Sequence, residues 1–267
     1  DVVVSDGFSG NILLKGIEGT ALFMASMMKD MFKKNIFTKL AAAMCMSGIR
    51  EFKSKLDYRQ TGGTVLIDCG ATAECTPEFL LQFAFMGSYY AKKMLGVSNP
   101  RVALLNIGAE DSKGTQLQKD AYALLKKAGD AGYVNFIGNI EGRDVMEGTA
   151  DVITCDGFVG NVILKTVEGM GHVVSTKVKN IFMKNLFTKL GAIFVMGGLN
   201  EFKQSMDYRE YGGAPLLGTK RPVIKGHGSS DGKAVFSAIR QAKKFVETNL
   251  IEEIVNNINC MEEKSND

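Results

Sequence analysis

From Thr64 onward, short unbroken apolar runs punctuate the chain: TVLIDCG, RVALLNIG, VNFIGNI and DVITCDG. Runs of this length without polar alternation predict strands buried on both faces. Between them the spacing becomes helical. TPEFLLQFAFMGSYYAKKML opens with Thr76 as cap, Pro77 in the first helical position and Glu78 in the first turn. QLQKDAYALLKKAG predicts a shorter helix, and another begins near Asn161. In a last helix Val235, Ile239, Ala242, Val246 and Leu250 fall on one apolar face. Strands alternating with helices at this spacing predict an α/β protein with a mostly parallel sheet. Ligands of such sheets bind beyond the carboxyl ends of the strands, which directs attention to the loops there.

A second pattern is superposed on the first. SDGFSGNILLKGIEG at Ser5 returns as CDGFVGNVILKTVEG at Cys155. The correspondence runs without a gap from 1–63 to 151–213, with DGF, GN, FTKL, EFK, DYR and GG in register. The unit is longer than solenoid repeats of roughly 20–50 residues and occurs twice, so it reads as a duplicated segment, 1–63, ahead of a main α/β region, 64–267.

Composition narrows the function. With 45% hydrophobic and 23% charged residues in 267, the chain is of ordinary globular type. A formal charge of +3 without a basic, aromatic-laced stripe gives no case for nucleic acid. Cys45, Cys69, Cys75, Cys155 and Cys260 are irregularly spaced and make no C-x-x-C pair, which fits reduced thiols in a cytoplasmic protein. No uncharged apolar run approaches the ~20 residues of a membrane span. The opening on Asp1, in mid-strand pattern, reads as a fragment or a processed chain. No clustered metal ligands are found, and no cofactor is expected.

Four loops are candidates for chemistry. In CDGFVGN, Gly157 and Gly160 allow a tight turn, and a helix starting near Asn161 would offer free backbone N–H groups to an anion, with the Asn161 amide and Lys165 beside it. In NIGAEDSKGTQ, Asn106 ends a strand and Lys113 stands between Ser112 and Gly114, without the order of a Walker loop. In KGHGSSDGK, His227, Ser229 and Ser230 precede a helix, though Ser230 or Asp231 could simply cap it. In IDCGATAECTPE, Asp68 closes a buried strand, where a carboxylate needs a partner; it could orient a lysine or an amide across the site or simply cap a turn. His172 lies in a helical pattern and reads as structural. Donors gathered at strand ends suit transition-state charge on a phosphate substrate.

These stretches, with YGGAPLLGTKRPVIKGHGSSDGKAVFSAIRQA, closely resemble PlsX-type phosphate acyltransferases from about Thr64 to the C-terminus. The resemblance implies a three-layer fold like that of isocitrate dehydrogenases and phosphotransacetylases, incomplete here at its N-terminal half. It implies transfer of an acyl group from acyl carrier protein to inorganic phosphate, feeding phospholipid synthesis. It implies Lys113 and Asn161 as catalytic residues, with phosphate held by the Gly157–Asn161 turn and the HGSS loop. Asp68 and Asn106, at strand ends, are further candidate substrate contacts. A homodimer, peripheral membrane contact and a downstream glycerol-phosphate acyltransferase are implied partners. The segment 184–203 mixes Phe, Leu and Met with lysines, as an amphipathic hairpin on a membrane or dimer partner would, with Phe187, Leu190, Ile193 and Phe194 as its contacts.

The family's Ala-Met-Gly-Gly-Asp stretch and Ser-Ala-Gly-Asn-Thr-Gly loop are not found, and Thr72 stands where the family usually has Asn. These departures predict weak or no activity for the isolated chain. A phosphotransacetylase-like enzyme acting on coenzyme A thioesters, a non-catalytic binding protein and two segments joined out of order are the competing readings.

Overall fold

A computed structural model describes residues 5–31, 64–183, 186, 189–190, 192–193, 209 and 212–265. The predicted strands are present: β1 (Val65–Ile67), β2 (Arg101–Asn106), β3 (Asn135–Glu141) and β4 (Val152–Thr154). They form one sheet in the order β1-β4-β2-β3, every pairing parallel. All four carboxyl ends therefore lie along one edge, bringing the loops after Ile67, Thr154, Asn106 and Glu141 into one row.

Continuous apolar strands imply cover on both faces, and β2 shows it. Val102 and Leu104 point into a cluster with Leu80, Leu81, Ala84 and Phe85 of α2 (Pro77–Tyr90) and Ala121, Leu125 and Ala128 of α3 (Gln116–Asp130). Ala103 and Leu105 point the other way, to Ile12 of α1 (Gly7–Met31) and to Val159 and Ile163 of α4 (Gly157–Met183). The result is three layers, helices–sheet–helices. Each fully buried Leu or Ile contributes about 1.5–3 kcal/mol before the entropy cost of ordering it.

Local chemistry sets the helix ends. The Thr76 side chain accepts from Phe79 N–H, and Pro77 occupies the first position, as expected. After Tyr90 the helix widens into a π turn, Ala91–Leu95, and stops at Gly96, whose φ of 77° is the left-handed stop.

Three expectations change. The helix of the DGFVGN motif begins at Gly157, so Asn161 lies inside its first turns. The last helix is two, α5 (Gly232–Glu247) and α6 (Leu250–Ser265), broken where Asn249 takes φ 51°. The apolar stripe of α5 is not its buried side: Val235, Ile239 and Val246 are 51%, 65% and 63% exposed, while Ala234, Ser237 and Phe245 face inward. Periodicity marked the stripe, but docking onto Tyr90, Met86 and Met94 of the α2 region selected the neighbouring face. A short antiparallel hairpin, β5 (Ala214–Pro215) with β6 (Ile224–Lys225), carries too little pattern to be read in advance. In the 184–203 segment, Leu190 and Ile193 are exposed; Phe187 and Phe194 lie outside the described residues.

Candidate functional site

The site is built where the β1 and β4 loops meet. Asp68 follows β1, and its carboxylate accepts the N–H groups of Gly70 (3.1 Å), Ala71 (3.1 Å) and Thr72 (2.6 Å). The loop thus curls around its own carboxylate. The start of α4 presses against it: Gly157 N–H donates to Thr72 O at 2.9 Å, and a Cβ on Gly160 would stand 1.8 Å from Asp68 O. Only glycine permits this approach. From the next turn the Asn161 Nδ2 donates to Cys69 O at 3.2 Å, beside Gly70, whose φ is 115°.

The expected open N–H groups at this helix start are already engaged. Val159 N–H donates to Asp156 Oδ1 at 2.9 Å, Gly160 N–H to Asp156 O at 3.0 Å, and Gly157 N–H to Thr72 O. Asp156 is therefore an N-cap. Burial pushes its carboxyl up, against hydrogen bonds that lower it, and the nearby Asp68 pushes it further up. Two carboxylates fill the two amide cradles, so a phosphate here must be met by other donors. The glycines give backbone contact between the two loops.

The β2 loop stands next in the row. Asn106, fully buried, accepts Ile107 N–H at 2.8 Å and donates to Lys113 O at 3.1 Å. Its amide ties the loop together rather than facing outward. Lys113 is exposed at the tip. Asn139 of β3, missed in the sequence, donates to Glu110 O at 2.8 Å in this loop; the one signal was a second asparagine, between Gly138 and Ile140, in the VNFIGNI run. Beyond it Glu141 pairs with Lys15 of α1 and with Arg143 (3.0 Å), which fixes α1 at the same edge.

The His227–Ser230 loop is built on the β5–β6 hairpin and the start of α5. His227 Nδ1 and Ser229 Oγ lie 2.7 Å apart, and Ser229 N–H donates to Nδ1 at 3.2 Å, so Nδ1 is the acceptor nitrogen and Nε2 carries the proton of the neutral ring. Asp231, not Ser230, caps α5, accepting Ala234 N–H at 3.0 Å and pairing with Arg209 at 3.1 Å. Asp68, Gly157, Gly160 and Asn161 are thus in direct contact, Asn106 holds the Lys113 loop, and His227 with Ser229 forms a third group. None of the described hydrogen bonds bridges the three. A cavity of about 340 Å³ between α3 and β3, lined by Tyr122, Lys126, Asp130 and Phe136, opens at the amino end of β3, opposite these loops.

Among the described residues no helix is long and apolar enough to cross a membrane, and no cluster of His, Cys, Asp and Glu could hold a metal ion.

Comparison with known proteins gives one consistent answer. The family model described as "Fatty acid synthesis protein" matches residues 1–67 and again 60–253. A phosphate acyltransferase of Thermoanaerobacterium thermosaccharolyticum is 55% identical over 193 residues, covering 72% of this chain and 57% of the relative. Phosphate acyltransferases of Thermoanaerobacter pseudethanolicus and Aquifex aeolicus are 52% and 48% identical over 200 residues, 75% of this chain and 59% and 58% of theirs. The chain spans less than three fifths of the length of these relatives.

Proposed function

Since the chain belongs to the fatty acid synthesis protein family, we propose that it carries the phosphate-side half of a phosphate acyltransferase site, converting acyl-[acyl carrier protein] and inorganic phosphate to acyl phosphate and free carrier protein. The name shared by its relatives supports the reaction. The observation that carries the site is the lock between the Asp68 loop and α4, which fixes the Asn161 amide at the carboxyl edge of the sheet next to the Lys113 loop.

In this reading the amide cradles are structural, and the phosphate charge is met by the Lys113 ammonium and by the amide of Asn161. His227, Ser229 and Ser230 supply further donors from the third loop. A phosphate oxygen attacks the thioester carbon directly. The new C–O bond forms as the C–S bond breaks, and the leaving thiolate takes up the proton lost from phosphate. Fixed donors stabilise the oxyanion that develops on the way. Residues 1–63 are a duplicated copy of 151–213, supported by the two separate matches to one family model. A homodimer in the cytoplasm, touching the membrane through the 184–203 segment and handing acyl phosphate to a glycerol-phosphate acyltransferase, completes the proposal. Exposed Leu190 and Ile193 support the membrane contact. A coenzyme A thioester as donor has no observation of its own and is not favoured.

The test is trapping of acyl phosphate with hydroxylamine from acyl carrier protein thioester and phosphate: the isolated chain is expected to give weak or no product, and the Lys113 and Asn161 roles are tested in a full-length family context. Phosphate-dependent acyl hydroxamate that falls at least about a hundredfold in Lys113→Ala is expected there; normal turnover in both Lys113→Ala and Asn161→Ala would refute the assignment.

A further inference from the structure

We propose that Asn139 is a positioning residue that holds the Lys113 loop against the sheet, an inference that rests on the reading of Lys113 as the phosphate-facing cation. Asn139 sits on the edge strand β3 in register with Leu104 and is 8% exposed. A buried amide in an apolar strand is costly unless its polar atoms are used. Its Nδ2 donates to Glu110 O at 2.8 Å, and the same oxygen accepts the N–H of Lys113 at 3.2 Å. That shared carbonyl closes the turn from Glu110 to Lys113. On the other side of the residue, Asn106 Nδ2 holds Lys113 O at 3.1 Å. Both backbone polar groups of Lys113 are therefore tied to neighbouring strands: the carbonyl directly to β2, the N–H through Glu110 to β3.

The orientation of the Asn139 amide follows from its contact. Turned the other way, it would set oxygen against the Glu110 carbonyl oxygen. Its Oδ1 has no donor among the described residues, so the Glu110 bond is the contact that justifies a polar residue here. Asn106 alone leaves the turn free to pivot about the end of β2; a second tether on the adjacent strand removes that freedom. A lysine side chain has four rotatable bonds, so holding its backbone is the part of its positioning the fold can supply.

Full-length chain carrying Asn139→Asp tests this, because the variant keeps the shape, loses the donor and places a carboxylate oxygen against Glu110 O. Trypsin reads the loop directly at the Lys113–Gly114 bond, with cleavage after Lys126 and Lys243 as internal controls for global stability. Cleavage at Lys113 about tenfold faster, with the controls unchanged, is expected from the loss of one buried hydrogen bond. Asn139→Ala serves as a second variant, and in the unaltered chain a slowly exchanging Asn139 side-chain N–H is expected by NMR. Unchanged Lys113 cleavage in a folded variant, or rapid exchange of that N–H, overturns the proposal. In the acyl phosphate assay the variant should raise KM for phosphate about tenfold at little-changed kcat. Faster cleavage with unaltered KM would leave the tether standing and remove Lys113 from phosphate binding.

Discussion

The carbonyl oxygen of Asp68 and the α-carbon of Gly160 are so close that a Cβ on the glycine would stand 1.8 Å from that oxygen. The neighbour is backbone, at the end of β1, and cannot swing aside. Gly160→Ala is therefore expected to separate α4 from the Asp68 loop, costing at least about 3 kcal/mol in urea unfolding or preventing folding. Gly169→Ala, in the same helix with nothing within 4 Å of the added carbon, should instead stabilise by about 0.5–1 kcal/mol.

Asp156 caps α4 while burial pushes its carboxyl up. A raised carboxyl pKa favours the folded state at low pH, and that contribution is lost as pH rises from the ordinary value, about 4, through the raised one. Asn caps as well as Asp without the charge. Asp156→Asn should be neutral or stabilising at pH 7, with a flatter stability profile above pH 4, while Asp156→Ala loses about 0.5–2 kcal/mol of capping. Thermal unfolding across pH separates the two.

Arg101 grips Asp151 through Nε and Nη2, each at 3.0 Å, and its backbone N–H adds a third bond at 2.7 Å. Burial would raise the Asp151 carboxyl, but these bonds together with the guanidinium charge outweigh it and hold the group below its ordinary value. The resulting stability is present at neutral pH and fades as pH falls below about 4 through the lowered value. Asp151→Asn should cost about 1–3 kcal/mol at pH 7, with the deficit shrinking in acid.

Three thiols surround the site loops. Burial, then the Asp68 charge, pushes Cys69 up to about 12; burial also raises Cys155 well above its ordinary value and raises Cys75. Iodoacetamide acts on the thiolate. At pH 8, peptide mass spectrometry should find Cys69 and Cys155 unlabelled in the native chain and labelled after denaturation.

The two faces of α5 give a direct check on its docking. Phe245 is buried against Tyr90, with ring centroids 5.8 Å apart, while Ile239 is 65% exposed. Phe245→Ala should cost about 3–5 kcal/mol, and Ile239→Lys less than about 0.5 kcal/mol.

The duplicated motif separates what is local from what is not. In both copies the aspartate of D-G-F caps its own helix: Asp6 Oδ1 accepts Phe8 N–H at 3.0 Å and Ser9 N–H at 2.9 Å, as Asp156 accepts Val159 N–H. That much is written in a few adjacent residues. So were the four strands, whose apolar runs require cover on both faces, and the Thr76–Pro77 helix start. Yet the two aspartates shift in opposite directions. Hydrogen bonds from the first turn lower exposed Asp6, and burial raises Asp156. The same residues took different chemistry because Asp156 follows β4, which the sheet places beside β1. Contact between Asp68 and Gly160 spans 92 positions, and the choice of which α5 face turns inward depends on a helix some 150 residues away. Periodicity and capping act over one or two turns of chain. The use of the DGFVGN glycines for loop–loop contact, the filling of both amide cradles by carboxylates and the tethering of the Lys113 loop by Asn139 arise from long-range packing, which no local pattern encodes.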